Sequence, residues 1–187
     1  MDKIRCAWCL KEPLYIDYHD REWGTPVHDD RKLFEFLILE SFQAGLSWLT
    51  VLKKRENFRK AFAGFDPKKI ALFDRRKIER LMADEGIIRN RLKIEAAVNN
   101  ARCFLAIQKE FGTFDSYVWG FVKGKTKVNS RKSLSKIPAF TPESDAMSKD
   151  MGKRGFKFRG STICYAFMQA TGMVDDHIDD CWRKRKK

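Results

Sequence analysis

From about residue 30 to residue 172, apolar side chains return every three or four positions, and capping signals close run after run. Strict alternation and a repeating strand–helix pattern are both missing, so the expected fold class is all-α. Residues 31–45 place Leu33, Phe34, Leu37, Ile38 and Ser41 on one face, with Asp29 or Asp30 as the N-cap. Residues 46–65 read as one further helix that stops near Gly64. Asp66-Pro67 and Asp74 open two short helices, and a long amphipathic one ends at Gly112. Residues 114–122 form a short aromatic helix, Thr141-Pro142 starts another, and residues 161–172 close the series at Gly172. The only weak strand candidate, 125–129, lies in the polar stretch 123–136, which reads as a loop. No boundary between two lobes is visible, so residues 1–187 are expected to form a single domain, if in two helical lobes.

The two chain ends add a constraint of their own. Cys6, Cys9 and His19 stand in the first twenty residues, and His177 and Cys181 stand four apart near the other end. Thiolate and imidazole are the ligands of a tetrahedral structural zinc, and either cluster alone is too small to supply four. Together they would pin both ends to one place and close a very long loop. Ordinary thiols and a surface histidine remain the alternative. A thioredoxin-like role for Cys6 and Cys9 is the weaker reading, because no βαβ pattern surrounds them. The chain holds five cysteines and shows no export signal, so a disulfide framework is not expected and the compartment is read as cytoplasmic.

The net charge of +13 favours a polyanion as partner, nucleic acid before a membrane surface, with a merely solubilising charge as the plain alternative. The longest apolar run is interrupted by Glu35 and Glu40, so no membrane span is expected. The closing Arg183-Lys184-Arg185-Lys186-Lys187 reads as a mobile basic tail. Trp8, Tyr15, Tyr18, Trp23 and Trp48 crowd the first fifty positions beside Glu40, a carboxylate within an apolar helix. Aromatic faces and one carboxylate suit a flat cation, and a base turned out of DNA could be bound in this way. The same residues could equally be core. Gln43-Ala44-Gly45-Leu46 makes a turn with an apolar tip. Gly86 turns between two helices, the second starting near Arg89 and carrying Arg91 and Lys93, where free N–H groups could hold phosphate. With a single glycine, this is also what an ordinary αα-corner looks like.

The stretches CAW, PLYIDYHDREWG, LESFQAGLSWLTVLKKREN, GIIRNRLKIEAAVNNAR and SDAMSKDMGKRGFKFRGSTICYAFMQATGMVDDH, with the closing Cys181, resemble the bacterial 3-methyladenine DNA glycosylase I (Tag) family over about residues 5–181. The resemblance implies an all-α fold of the helix–hairpin–helix glycosylase superfamily and a monofunctional enzyme with no lyase step. It implies double-stranded alkylated DNA as partner, no membrane, and a monomer. One structural Zn2+ per chain would be held by Cys6, His19, His177 and Cys181, with Cys9 a spare thiol. Glu40 would hydrogen-bond the methylated base in a pocket of Trp8, Tyr15, Tyr18, Trp48 and Trp23. Gln43, Gly45 and Leu46 would fill the gap left by the flipped nucleotide, and Gly86, Ile87, Ile88, Arg89 and Arg91 would hold the DNA backbone. Binding alkylated DNA without cutting it is the alternative function. Two departures stand out: Ser41-Phe42 after Glu40, expected to alter the pocket wall, and the basic tail.

Overall fold

The computed structural model describes residues 3–186. Ten α-helices account for most of it: α1 (Pro13–Arg21), α2 (Asp30–Gln43), α3 (Trp48–Lys53), α4 (Arg55–Ala61), α5 (Pro67–Ile70), α6 (Arg75–Ala83), α7 (Arg91–Phe111), α8 (Phe114–Gly120), α9 (Pro142–Lys153) and α10 (Ser161–Ala170). Side-chain caps set most of the starts. Asp29, Ser47, Asp66, Asp74, Asn90 and Thr113 each accept from a backbone N–H of the first turn, and Thr141 with Ser144 completes a capping box. Asp30, the other cap candidate, instead caps α8, accepting from Phe114 N and Asp115 N at 2.9 and 2.8 Å.

Helix α2 is the axis of the fold. It packs against α3, α7, α8 and α10. Every residue from Leu33 to Phe42 is buried, so the helix is enclosed all round rather than amphipathic. Enclosure makes its two glutamates expensive unless each has a partner or a purpose. Glu35 has partners: Arg55 Nε at 2.5 Å and Arg59 Nη2 at 2.7 Å, with Arg55 also held by Glu22 at 2.8 Å. Burial works to raise the Glu35 carboxyl, but the two guanidiniums overcome it and hold the group below its ordinary range. Glu40, five residues on, has no such partner.

Several expectations need correction. Residues 46–65 are not one helix: the chain breaks at Lys54 between α3 and α4 and passes Gly64 in a left-handed conformation. Residues 13–21, for which the sequence sets no expectation, are helical, started by Pro13 at the first position. The second helix of the Gly86 hairpin starts at Arg91, with Asn90 as cap, not near Arg89. The polar stretch includes a short strand after all: β1 (Lys127–Val128) pairs in parallel with β2 (Val174–Asp175), fixing the approach to His177. The basic tail is docked, not mobile, through its described residues. Lys184 Nζ donates to the carbonyls of His177 and Asn129, Arg185 N to Asp175, and Arg183 to Thr25. Lys187 lies outside the described residues. No helix among the described residues is long and apolar enough to cross a membrane.

Candidate functional site

The N-terminal aromatics and Glu40 come together. A cavity of about 410 Å³ is lined by Trp8, Tyr15, Tyr18, Trp23, Glu40, Gln43 and Trp48, and also by Leu134, Ile137, Ala166 and Gln169. Helix α1 supplies Tyr15 and Tyr18, α2 supplies Glu40, and α3 supplies Trp48 from its first turn. Trp8 is the hub: its ring stands edge-on to Tyr15 at 4.7 Å and to Trp23 at 5.1 Å between centroids. Tyr18 and Trp48 approach to 5.4 Å. The volume suits one small aromatic ligand.

Two polar atoms in this box have no protein partner: Glu40 Oε2 and Trp48 Nε1, both fully buried. A buried donor and a buried acceptor left open in one cavity are set for a ligand. Burial pushes the Glu40 carboxyl up to about 8, so at neutral pH it is largely protonated. A cation entering the box would draw that proton off and restore the carboxylate. Nearby charge matters in both directions: burial first, then Glu40, raises the hydroxyls of Tyr15 and Tyr18, so both stay neutral.

Ser41 and Phe42 do not reach this cavity, contrary to expectation. Helical geometry turns them away from Glu40's face. Ser41 Oγ donates to Leu37 O at 2.8 Å, and Phe42 packs on Phe58 and Phe62. Sequence reasoning missed Leu134, Ile137, Ala166 and Gln169, which arrive from the 130s loop and α10. Gln169 carried a signal of the Glu40 kind, a polar side chain within an apolar helix. Its Nε2 donates to Asp176 at 2.9 Å.

At the mouth, α2 ends and the chain turns through Gly45, whose φ of 79° favours glycine. Leu46 stands 43% exposed at the tip. Gln43, Ala44, Gly45 and Leu46 face Thr162, Ile163 and Ala166 across a second hollow that shares Glu40 with the first. The Gly86 hairpin lies at the start of α7. Gly86 N donates to Asp84 Oδ1 at 2.8 Å. Ile87 is buried and holds the turn, while Ile88 is half-buried. Arg89 and Arg91 are exposed, Arg91 paired with Glu79 at 2.7 Å. Lys93, grouped with them in sequence, points inward: it is 6% exposed, and its Nζ donates to Phe42 O and Ala44 O at 2.9 and 2.5 Å.

The chain ends meet behind the cavity. The ligand atoms of Cys6, His19 and Cys181 lie within 4.8 Å of one another, all three buried. His177 stands beside them, its ring centroid 5.1 Å from that of His19, and its Nε2 is a buried atom with no partner. Both imidazoles are oriented from behind: His19 Nδ1 meets Asp20 at 2.8 Å, and His177 Nδ1 meets Asp175 at 2.9 Å. Carboxylates placed this way fix the tautomer and turn each Nε2 inward, as at metal-ligating histidines. The two neighbouring thiols cannot both ionise easily: their mutual hydrogen bonding lowers Cys181 below the ordinary thiol range and pushes Cys6 above it. Cys9 is turned away, its Sγ donating to Cys6 O at 3.1 Å. Gly24 lies against His177, where a Cβ would stand 2.7 Å from Cε1, so only glycine fits. The cluster and the cavity share a wall: Trp23 packs edge-on to His177 at 4.6 Å, and Trp8 to His19 at 5.4 Å.

Comparison with known proteins agrees with this geometry. A family model described as methyladenine glycosylase matches residues 8–184. DNA-3-methyladenine glycosylase 1 of Escherichia coli is 53% identical over 177 residues, 95% of each chain. A crystal structure of 3-methyladenine DNA glycosylase I superposes with a TM-score of 0.95 at 53% identity, covering 97% of this chain and all of the other. A variant of 3-methyladenine DNA glycosylase I solved in complex with 3-methyladenine gives a TM-score of 0.94 at 40% identity, covering 97% and 98%.

Proposed function

The chain belongs to the methyladenine glycosylase family, and on that footing we propose that it excises 3-methyladenine from alkylated double-stranded DNA by hydrolysing the bond between base and sugar. The observation that carries this reading is the open pair inside the aromatic box, Glu40 Oε2 and Trp48 Nε1. Methylation at N3 puts a positive charge on the base. The rings of Trp8, Tyr15, Tyr18, Trp23 and Trp48 present their electron-rich faces to it, and Glu40 accepts its N–H groups.

The leaving base takes the electron pair of the C1′–N bond and departs neutral, so no strong acid is required. Water adds to C1′ and gives up a proton. The protein's share is to hold the base out of the stack and keep its charge matched while the bond stretches. Normal adenine, uncharged and more firmly bonded, gains little from such a box. Among the described residues no lysine lines the cavity, so none stands ready to form a Schiff base, which supports a monofunctional enzyme.

Outside the pocket, Leu46 and Gln43 would occupy the gap left by the flipped nucleotide. The exposed Arg89 and Arg91, with the backbone of Gly86, Ile87 and Ile88, would hold the phosphates. One structural zinc fits Cys6, His19, Cys181 and His177 in donor type, burial and orientation. When bound, it cross-links the two ends and braces Trp8 and Trp23 from behind. We read the protein as one glycosylase domain over residues 1–187, monomeric and cytoplasmic.

The test is base release from methylated duplex DNA, with the freed bases separated by chromatography. Release of 3-methyladenine with 7-methylguanine left in place is expected. Tight binding to the methylated duplex without release would instead make the chain a reader of damage.

A further inference from the structure

Of the three cations that the sequence groups at the Gly86 hairpin, Arg89, Arg91 and Lys93, the fold takes only Lys93 inside. Its side chain crosses from the first turn of α7 to the end of α2, where Nζ takes the carbonyls of Phe42 and Ala44. Among the described residues it forms no ion pair, and burial lowers its ammonium from the ordinary value. The charge is compensated by carbonyl dipoles at a helix C-terminus. Capping α2 did not require a buried lysine; an exposed side chain or water would serve. What is particular is the pair of elements joined. One end of the bridge lies three residues past the last residue of the Gly86 hairpin's turn. The other holds the backbone immediately before Gly45 and Leu46.

We propose that Lys93 is a positioning residue that fixes the Gln43–Leu46 tip at a set distance from the hairpin, so that gripping phosphate and entering the stack occur in register. The inference rests on the roles given above to the tip and the hairpin. A lysine suits the task because its four-carbon stem spans the gap between helices while its head holds two carbonyls at once. Free base does not need this register, since it reaches Glu40 without opening a duplex.

Those two requirements separate in one experiment. Single-turnover release of 3-methyladenine from methylated duplex DNA and binding of free 3-methyladenine, read by tryptophan fluorescence, are measured for wild type, Lys93→Arg and Lys93→Met. Release is expected to fall tenfold or more in Lys93→Met and by less in Lys93→Arg, with free-base affinity within twofold throughout. In a Leu46→Ala background, Lys93→Met should cost no more than a further twofold, because the two act through one tip. Equal release across the three proteins overturns the proposal. So does a parallel loss of release and free-base binding, or a Lys93→Met loss that multiplies fully with Leu46→Ala. If Lys93→Met does not fold, wild type against Lys93→Arg carries the same split. Wild type failing to release base would sink the excision reading instead, a result distinguishable from all of these.

Discussion

Replacing Glu40 by glutamine should make the protein more stable and less active, and the stability gain should depend on pH. The carboxyl ionises near 4.5 in an unfolded chain and near 8 in the fold, because burial penalises its charged form. Between those values the unfolded chain has lost the proton while the folded one keeps it. The folded state therefore binds more protons, and stability falls as pH rises through that window. Integrated from pH 5 to pH 8, the loss is about 3 to 4 kcal/mol. Glutamine does not titrate and escapes it. Any fixed cost of placing an amide beside Trp48 is the same at both pH values and cancels in the comparison. For a chain of this length, 1 kcal/mol moves Tm by roughly 2–4 °C. The Tm difference between Glu40→Gln and wild type should thus grow by roughly 7–14 °C from pH 5 to pH 8. Differential scanning calorimetry of both proteins at the two pH values measures it. A difference that stays constant would refute the reasoning, for it would mean that Glu40 ionises in the fold as it does in water. The same variant should release 3-methyladenine about 10–100 times more slowly, the worth of a charge-assisted hydrogen bond to the base. Wild-type kcat/KM should climb towards pH 8 as the free carboxyl ionises, while the variant's profile stays flat.

On the proposed zinc assignment, Cys181→Ser should bind less than one zinc per chain, measured by atomic emission on purified protein, and lose a cross-link around a loop of roughly 175 residues, about 5 kcal/mol by chain entropy. Cys9→Ser should keep full metal content, and a loss there would move the ligand from Cys6 to Cys9. Arg55→Met takes the closest partner from buried Glu35, leaving Arg59 and, at 3.8 Å, Lys32, and urea melts should show about 3 kcal/mol of destabilisation. Deleting residues 183–187 should lower Tm by roughly 2–8 °C, because Lys184 and Arg185 bind the β2 end and the His177 turn. An unchanged Tm with only a weaker salt-sensitive affinity for DNA would restore the picture of a free tail.

Local signals with a single physical meaning were legible in the sequence. Asp66-Pro67, Asp74 and Thr141-Pro142 open helices where their side chains say they should, because a cap is decided within one turn. Glu40 stood out because a lone carboxylate in an apolar run must face something. What the sequence concealed was set by distant partners. Lys93 and Arg91 sit two apart on one helix, and nothing local says that one bonds the end of α2 while the other meets Glu79. Residues 46–65 keep their apolar period through Lys54, so the break there left no trace. Leu134 lies in a stretch whose polarity reads as loop and Ile137 just past it, and the β1–β2 pairing together with the bonds of Asn129 and Arg131 to Asp176 ties that stretch down beside the cavity. The tail looked mobile on charge alone, until Lys184 found the carbonyls of a turn that belongs to the other side of the site.

The meeting of the chain ends also has a mechanical meaning. Trp182 N donates to Ile4 O at 2.9 Å, directly beside the Cys6–His19–Cys181 cluster. A protein whose two ends are joined this way is nearly a closed ring. Pulled from its termini, it would put the load on the clasp first, and the helices would bear nothing until it opened. When it did open, Trp8 and Trp23 would lose the imidazoles behind them, so the base pocket would go slack before the core did. The chain ends are therefore the place where tension or a fused partner would silence the enzyme while leaving most of it folded.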